Sequence, residues 1–212
     1  MNKKRLADEI VKRLENAYPQ EECFLDHTNA WQLVVAVRLA AQCTDVRVNI
    51  VTKELFASYA SVGALAKATP EEIEKIIRPC GLGKTKARDI HLAMNHLQEK
   101  YDGSVPDTME QLLEIPGVGR KSANLILGDV FNKPAIVTDT HCIRLCKKFG
   151  LTSSTNPAVT ERELREVIEP EKGNAFCHRL VRHGREVCTA RSPKCSVCLL
   201  NDICVSGIRD PN

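Results

Sequence analysis

Aromatic side chains are scarce in this chain of 212 residues: one Trp, three Tyr and five Phe, 4% in all. So few rings exclude recognition of nucleic acid by rows of bases stacked on aromatic platforms. A large charge of one sign is missing too. Lys and Arg number 30 against 27 Asp and Glu, a formal net charge of +3, so any affinity for a polyanion must come from a local patch. No apolar run approaches the roughly 18 residues of a membrane span. The N-terminal MNKKRLADEIVKRLENAY is a charged amphipathic helix and not a secretory signal. A cytoplasmic protein is expected, at the nucleoid if the source is bacterial, with no membrane partner. No internal repeat or low-complexity linker occurs. The one strand-like piece, Ala135-Ile136-Val137, is too short to build a sheet.

Helical patterning fills most of the remainder. Residues 29–42 (NAWQLVVAVRLAAQ) are apolar enough for a buried helix, with Thr28 or Asn29 as cap, and Thr44 caps a further helix to about Tyr59. Thr69-Pro70-Glu71-Glu72 is a capping box with proline in the first turn, opening a helix that ends near Cys80-Gly81. Helix is expected again over 84–100, breaking at Tyr101-Asp102-Gly103. Asn156-Pro157 starts another to about Ile168, and 172–187 is the last long one. The fold class is all-α.

The stretch from Leu113 to Asp139 organises the chain. It holds a glycine-bearing hairpin, Ile115-Pro116-Gly117-Val118-Gly119, between a helix over 107–114, with Asp107 as N-cap, and one over 120–130. Glycines let the backbone turn tightly and approach a ligand. The unpaired amides opening the second helix then favour an anion such as a phosphodiester, gripped without regard to base sequence. A plain αα-corner would use the same glycines. It would need neither Lys121 on the first turn after the hairpin nor Asp139, which reads both as a functional carboxylate and as the N-cap of a helix over 140–149.

In a reducing compartment ten cysteines are metal ligands or core residues, not a disulfide frame. Cys188, Cys195, Cys198 and Cys204 have the spacing C-x6-C-x2-C-x5-C among polar residues and can wrap one soft metal centre. Zinc and an iron–sulfur cluster both satisfy that ligand set. The other six (Cys23, Cys43, Cys80, Cys142, Cys146, Cys177) lie in apolar or helical contexts and read as packing residues. Around the four, Arg179, Arg182, Arg185, Arg191 and Lys194 stand against one acid, Glu186, and form the candidate basic patch.

Together these features resemble the endonuclease III family of bifunctional DNA glycosylases, within the helix–hairpin–helix superfamily. The matching stretches are LAAQCTDVRVN (39–49), GLGKTKA (81–87), IPGVGRKSAN (115–124), VTDTH (137–141), HRLVRHGREVC (178–188) and the four cysteines. They follow the family's order over nearly the whole chain. A hairpin alone is common among DNA-binding proteins; hairpin, lysine, aspartate and this cysteine spacing together are specific.

The resemblance implies two helical domains. One is a six-helix domain over 23–132 carrying the hairpin; the other joins 1–22 to 133–212 and holds the cluster. It implies an N-glycosylase with AP-lyase activity on oxidised pyrimidines in double-stranded DNA, acting as a monomer and cutting 3′ to the abasic site by β-elimination. Lys121 falls at the nucleophile's position and Asp139 at that of the essential carboxylate. Pro116, Gly117, Val118 and Gly119 would bind DNA phosphates. Gln42 would fill the gap left by the flipped nucleotide, and Leu82 would wedge the opposite strand. Cys188, Cys195, Cys198 and Cys204 would ligate a structural [4Fe–4S] cluster. Cys80 and Gly83 stand where family members often place bulkier residues beside the wedge, and Arg38 interrupts a helix that is usually uniformly apolar; it faces DNA or pairs with a carboxylate. The chemistry agrees with the residue types, because a lysine amine forms a Schiff base with the sugar, whereas a carboxylate that only activates water leaves the abasic strand intact. A monofunctional glycosylase of the superfamily would lack this lysine, and a non-catalytic DNA-binding module would not need it.

Overall fold

The computed structural model describes residues 2–20 and 22–207. The far ends of the expected cluster domain, residues 1 and 208–212, lie outside these, as does residue 21. All regular structure among the described residues is helical, and Ala135-Ile136-Val137 runs as irregular chain, buried without a strand partner. No helix is long and apolar enough to cross a membrane. The chain forms two compact units, Met1–Glu22 with Lys133–Asn212, and Cys23–Asn132.

The first helix of the former unit is α1 (Lys3–Ala17), capped by Asn2, whose side chain accepts from the N–H of Arg5. Its buried residues, Ala7, Ile10, Val11 and Leu14, fall on one stripe of the helical period.

The unit Cys23–Asn132 contains α2 (Ala30–Leu39), α3 (Asp45–Ser58), α4 (Val62–Lys67), α5 (Pro70–Ile77), α6 (Gly83–Tyr101), α7 (Met109–Glu114) and α8 (Arg120–Asp129), with a 3-10 turn at Arg78–Cys80. Helix α2 is its axis. Leu33, Val34, Val35, Ala36 and Leu39 are all buried, and α2 packs against α3, α6 and α8. A helix buried nearly all round contributes heavily, since each fully buried leucine is worth roughly 1.5–3 kcal/mol. It is shorter than expected, stopping at Leu39 and leaving Gln42 in the turn before α3. The unit has one helix more than the sequence reading anticipated: α4, six residues capped by Ser61 and packed on α6 through buried Leu65 and Ala66. So short a helix shows too little of its period by itself, and Ser61 is followed three residues on by Ala64 and not by an acid, as Asp107 is by Glu110. The N-cap of α7 also differs from expectation. Thr108, not Asp107, accepts from the N–H of Gln111, at 3.3 Å.

In the other unit follow α9 (Thr140–Phe149), α10 (Pro157–Arg165) and α11 (Gly173–Glu186), with 3-10 turns at Pro170–Lys172 and Cys195–Val197. Helix α11 packs on both α1 and α9. The core there includes Cys142, Leu145, Cys146 and Phe149 of α9 with Phe176, Cys177 and Leu180 of α11. Three of the cysteines read as packing residues are thus buried here and Cys80 in the other unit, where Cys23 and Cys43 lie half-buried against the core.

The capping box opening α5 is complete. The N–H of Thr69 donates to Glu72 Oε2 at 2.8 Å, and the N–H of Glu72 donates to Thr69 Oγ1 at 3.3 Å. These bonds hold the Glu72 carboxyl below its ordinary range. A carboxyl depressed in the folded state stabilises above its unfolded pKa, and that contribution is lost as the pH falls through the folded value. Thr69→Ala is therefore expected to lower Tm by about 2–4 °C at neutral pH. The gap from wild type should narrow in acid, as thermal melts at the two pH values will show.

Candidate active site and metal centre

The hairpin is anchored from below and open above. Ile115 and Val118 are buried in the core of the Cys23–Asn132 unit, and the N–H of Val118 donates to the Ile115 carbonyl at 3.0 Å, closing the turn. Pro116 is half-buried, while Gly117 and Gly119 are exposed. The two glycines are there for different reasons. Gly117 has φ +80°, and a Cβ on it would lie 2.9 Å from Arg38 Cδ and 3.3 Å from Asp89 Cβ. Folding requires it. Gly119 has φ −99°, and a Cβ there would meet nothing within 4 Å. Folding does not require that glycine, but close approach of a ligand to the backbone would. Gly119 is also the N-cap of α8, and no side chain caps that helix, so its first N–H groups face outward with the positive end of the helix dipole behind them.

Arg38 is the support under this loop. Its Nε donates to Asp89 Oδ2 at 2.8 Å, and Nη2 lies 2.6 Å from the same oxygen. Both side chains are less than one-fifth exposed. Of the two roles open to Arg38, the structure shows the carboxylate pair. Arg38 and Asp89, on α2 and α6, meet against Gly117; the identity of the carboxylate escapes the sequence because 51 residues separate the two.

Lys121 is exposed on the first turn of α8. Two further sequence candidates belong to the same unit. Gln42 is exposed with φ 56°, and Leu82, 55% exposed, has φ 52°. Left-handed backbone at a residue other than Gly, Asn or Asp costs about 1–3 kcal/mol and persists only where the surroundings hold it. Strain at two exposed side chains is a mark of function more than of packing.

Asp139 lies in the other unit, as the N-cap of α9. Its Oδ1 accepts from the N–H of Cys142 at 2.7 Å, leaving Oδ2 for other work.

The four C-terminal cysteines, also in that unit, line one cavity of about 90 Å³ with Phe149, Val187 and Pro193. Four cysteines around one void are a ligand set for a soft metal centre. Burial, then the neighbouring sulfurs, pushes the Cys198 thiol up, a penalty that a cationic centre removes. Each side of the cavity has its own brace. Arg144 Nη1 donates to the Cys188 carbonyl at 2.7 Å and lies 3.8 Å from Cys188 Sγ. His183 Nε2 is 3.6 Å from Cys198 Sγ, and its Nδ1 is 3.1 Å from Tyr18 Oη. Held as a thiolate by a metal centre, Cys198 could only accept, which would place the proton on Nε2 and have the tyrosine hydroxyl donate to Nδ1. From α1, Arg13 Nη1 donates to the Leu199 carbonyl at 2.9 Å, and its two Nη atoms reach both oxygens of Asp202 at 2.5 and 3.0 Å.

The basic patch is smaller than the sequence implied. Arg179 donates to the Tyr18 carbonyl, and Arg182 pairs with Glu186 over the Tyr18 ring. Arg191 and Lys194 remain exposed on the loop between the first two cysteines.

Residues 35–170 match the family model of the HhH-GPD superfamily of base excision DNA repair proteins, and 188–204 match the iron–sulfur binding domain of endonuclease III. The chain belongs to the endonuclease III family. It is 44% identical to the endonuclease III of Synechocystis over 97% of this chain and 94% of the relative. With that of Escherichia coli K12 it shares 36% identity over 96% of each. A solved trapped endonuclease III–DNA covalent intermediate superposes with TM-score 0.92 at 36% identity, covering 99% of this chain and 98% of that one. A thermostable thymine-DNA glycosylase at 20% identity shares the fold, with TM-score 0.84. The protein is a DNA glycosylase with AP-lyase activity in base excision repair, binds DNA, and carries a [4Fe–4S] cluster.

The unequal glycines give a direct check. Gly119→Ala should keep stability within about 1 kcal/mol, an alanine N-cap being only modestly worse, yet weaken binding to an abasic-site analogue. Gly117→Ala should lower Tm clearly. Paired melting and binding titrations would separate the two.

Proposed function

We propose that the enzyme removes oxidised pyrimidines from double-stranded DNA as a monomer, working at the chromosome in the cytoplasm, with Lys121 as nucleophile and Asp139 as its carboxylate. The observation that carries the reading is Lys121 on the first turn of α8, directly after a hairpin whose outer glycine leaves room for a phosphodiester. A relative of the same fold has been solved as a covalent intermediate with DNA, and such an intermediate needs a nucleophile.

Pro116, Gly117, Val118 and Gly119 present backbone amides to the phosphates, holding the strand while the damaged nucleotide leaves the stack. Flipping costs a few kcal/mol, less at a damaged site. Gln42 faces the widowed base and offsets its lost pairing; Leu82 props the stack on the opposite strand. Lys121 Nζ attacks C1′ of the deoxyribose, and the bond from C1′ to the base breaks, the electron pair leaving with the base. The sugar ring opens to a Schiff base. Loss of a proton from C2′ then expels the 3′ phosphate by β-elimination, cutting the strand. Asp139 stabilises positive charge on the sugar and moves protons through the oxygen not engaged with Cys142.

Cys188, Cys195, Cys198 and Cys204 hold the cluster, which stays outside the bond-breaking steps. It orders the loop that presents Arg191 and Lys194 to the DNA backbone. Purified protein should be brown, with about four irons and four sulfides per chain. Cys198→Ser should lose iron and also bind abasic DNA more weakly. Colourless protein with stoichiometric zinc would exclude the cluster.

For the chemistry, borohydride reduction during turnover should trap the enzyme on lesion-bearing duplex, and Lys121→Ala should abolish the adduct. Wild type that nicks without ever trapping would overturn the Schiff base. Asn caps helices as well as Asp does, so Asp139→Asn should melt like wild type while base release falls by about a hundredfold or more.

A further inference from the structure

Lys86 is among the largest side chains fully shielded from solvent in the described residues, and it carries an amine. Burying an ammonium is costly, and an apolar side chain of the same volume would spare that cost. The charge is not spent on a carboxylate. Lys86 Nζ donates to two backbone carbonyls, Leu39 and Cys80, each at 2.8 Å.

Both carbonyls belong to segments that matter for DNA. Leu39 is the last residue of α2, three before Gln42; Cys80 ends the 3-10 turn, two before Leu82. Among the described residues, Gln42 and Leu82 are the two in left-handed backbone that are neither Gly, Asn nor Asp. The main-chain N–H of Lys86 also donates to the Leu82 carbonyl at 3.0 Å. One residue thus ties together both strained turns from beneath.

We propose that Lys86 is a positioning residue for duplex probing, its ammonium fixing the spacing at which Gln42 and Leu82 enter the DNA by holding the Leu39 and Cys80 carbonyls. The inference rests on the assignment of Gln42 and Leu82 as gap filler and wedge. Burial pushes the Lys86 pKa down, but even a neutral amine keeps two N–H donors, so the clamp survives loss of the proton. Methionine matches the length and offers none, leaving two buried carbonyls without partners.

The test compares two substrates of the cluster-loaded, full-length enzyme. A duplex with a single dihydrouracil demands flipping; a single-stranded oligonucleotide with an abasic site demands only the lyase chemistry. Lys86→Met should slow base release from the duplex by about tenfold or more, while nicking the single strand within about twofold of wild type. Lys86→Gln keeps N–H donors on a shorter arm and should fall between. If Lys86→Met does not fold, Lys86→Gln carries the test with the same selective loss expected. An unchanged duplex rate, or equal losses on both substrates, overturns the positioning role. Gln42→Ala and Leu82→Ala run alongside. If both keep the wild-type ratio of duplex to single-strand rates, the probing assignment fails and the inference with it. If they lose it while the Lys86 variants do not, the clamp alone is wrong.

Discussion

Every α-helix leaves the N–H groups of its first turn without partners inside the helix. A protein built from eleven short helices meets that problem eleven times among its described residues. Eight are closed by their own N-cap side chain: Asn2, Asn29, Thr44, Ser61, Thr69, Thr108, Asp139 and Asn156. Three lack one: α6, α8 and α11. Helix α11 grows directly out of a 3-10 turn. The remaining two begin at Leu82 and Gly119, the positions assigned to DNA. The molecule closes most of its helix ends with a side chain and leaves open the two that begin at the proposed wedge and hairpin.

The same logic explains what lies beneath the open ends. Chain that offers its backbone to a ligand must be held from the other side. The Arg38–Asp89 pair fills the space under Gly117, and Lys86 fills the space under Gln42 and Leu82. Both devices place charged groups in or near an apolar core, where a hydrophobic pair would often be as stable. Their use is geometric: charge-assisted hydrogen bonds fix direction, and aliphatic contacts do not. Around the cluster cysteines, Arg13, Arg144 and His183 act in the same manner on a loop with little hydrophobic core of its own.

In the proposed mechanism Asp139 has both a structural and a chemical task. One carboxylate oxygen closes α9 at 2.7 Å from the N–H of Cys142. A catalytic group that also caps a helix has its orientation set by backbone, which is stiffer than any second side chain.

The helical class, most helix starts, the hairpin and the grouping of the four C-terminal cysteines were readable in the linear chain, because each is written within a few residues: a capping box, a period of 3.6, two glycines, four thiols in seventeen positions. Thr108 in place of Asp107 and the extra helix α4 were not, since neighbouring caps compete and a six-residue helix shows under two turns of its period, with no acid three residues after Ser61 to mark its start. Folding alone made Gly117 necessary to the turn and left Gly119 free of that constraint. It alone turned Arg38 toward Asp89 and drew Arg179 and Arg182 out of the basic patch, and it buried Lys86 beneath two loops about forty residues apart. Each of those outcomes depends on partners distant in sequence, and a side chain's type states what it can bond without stating what will stand opposite it.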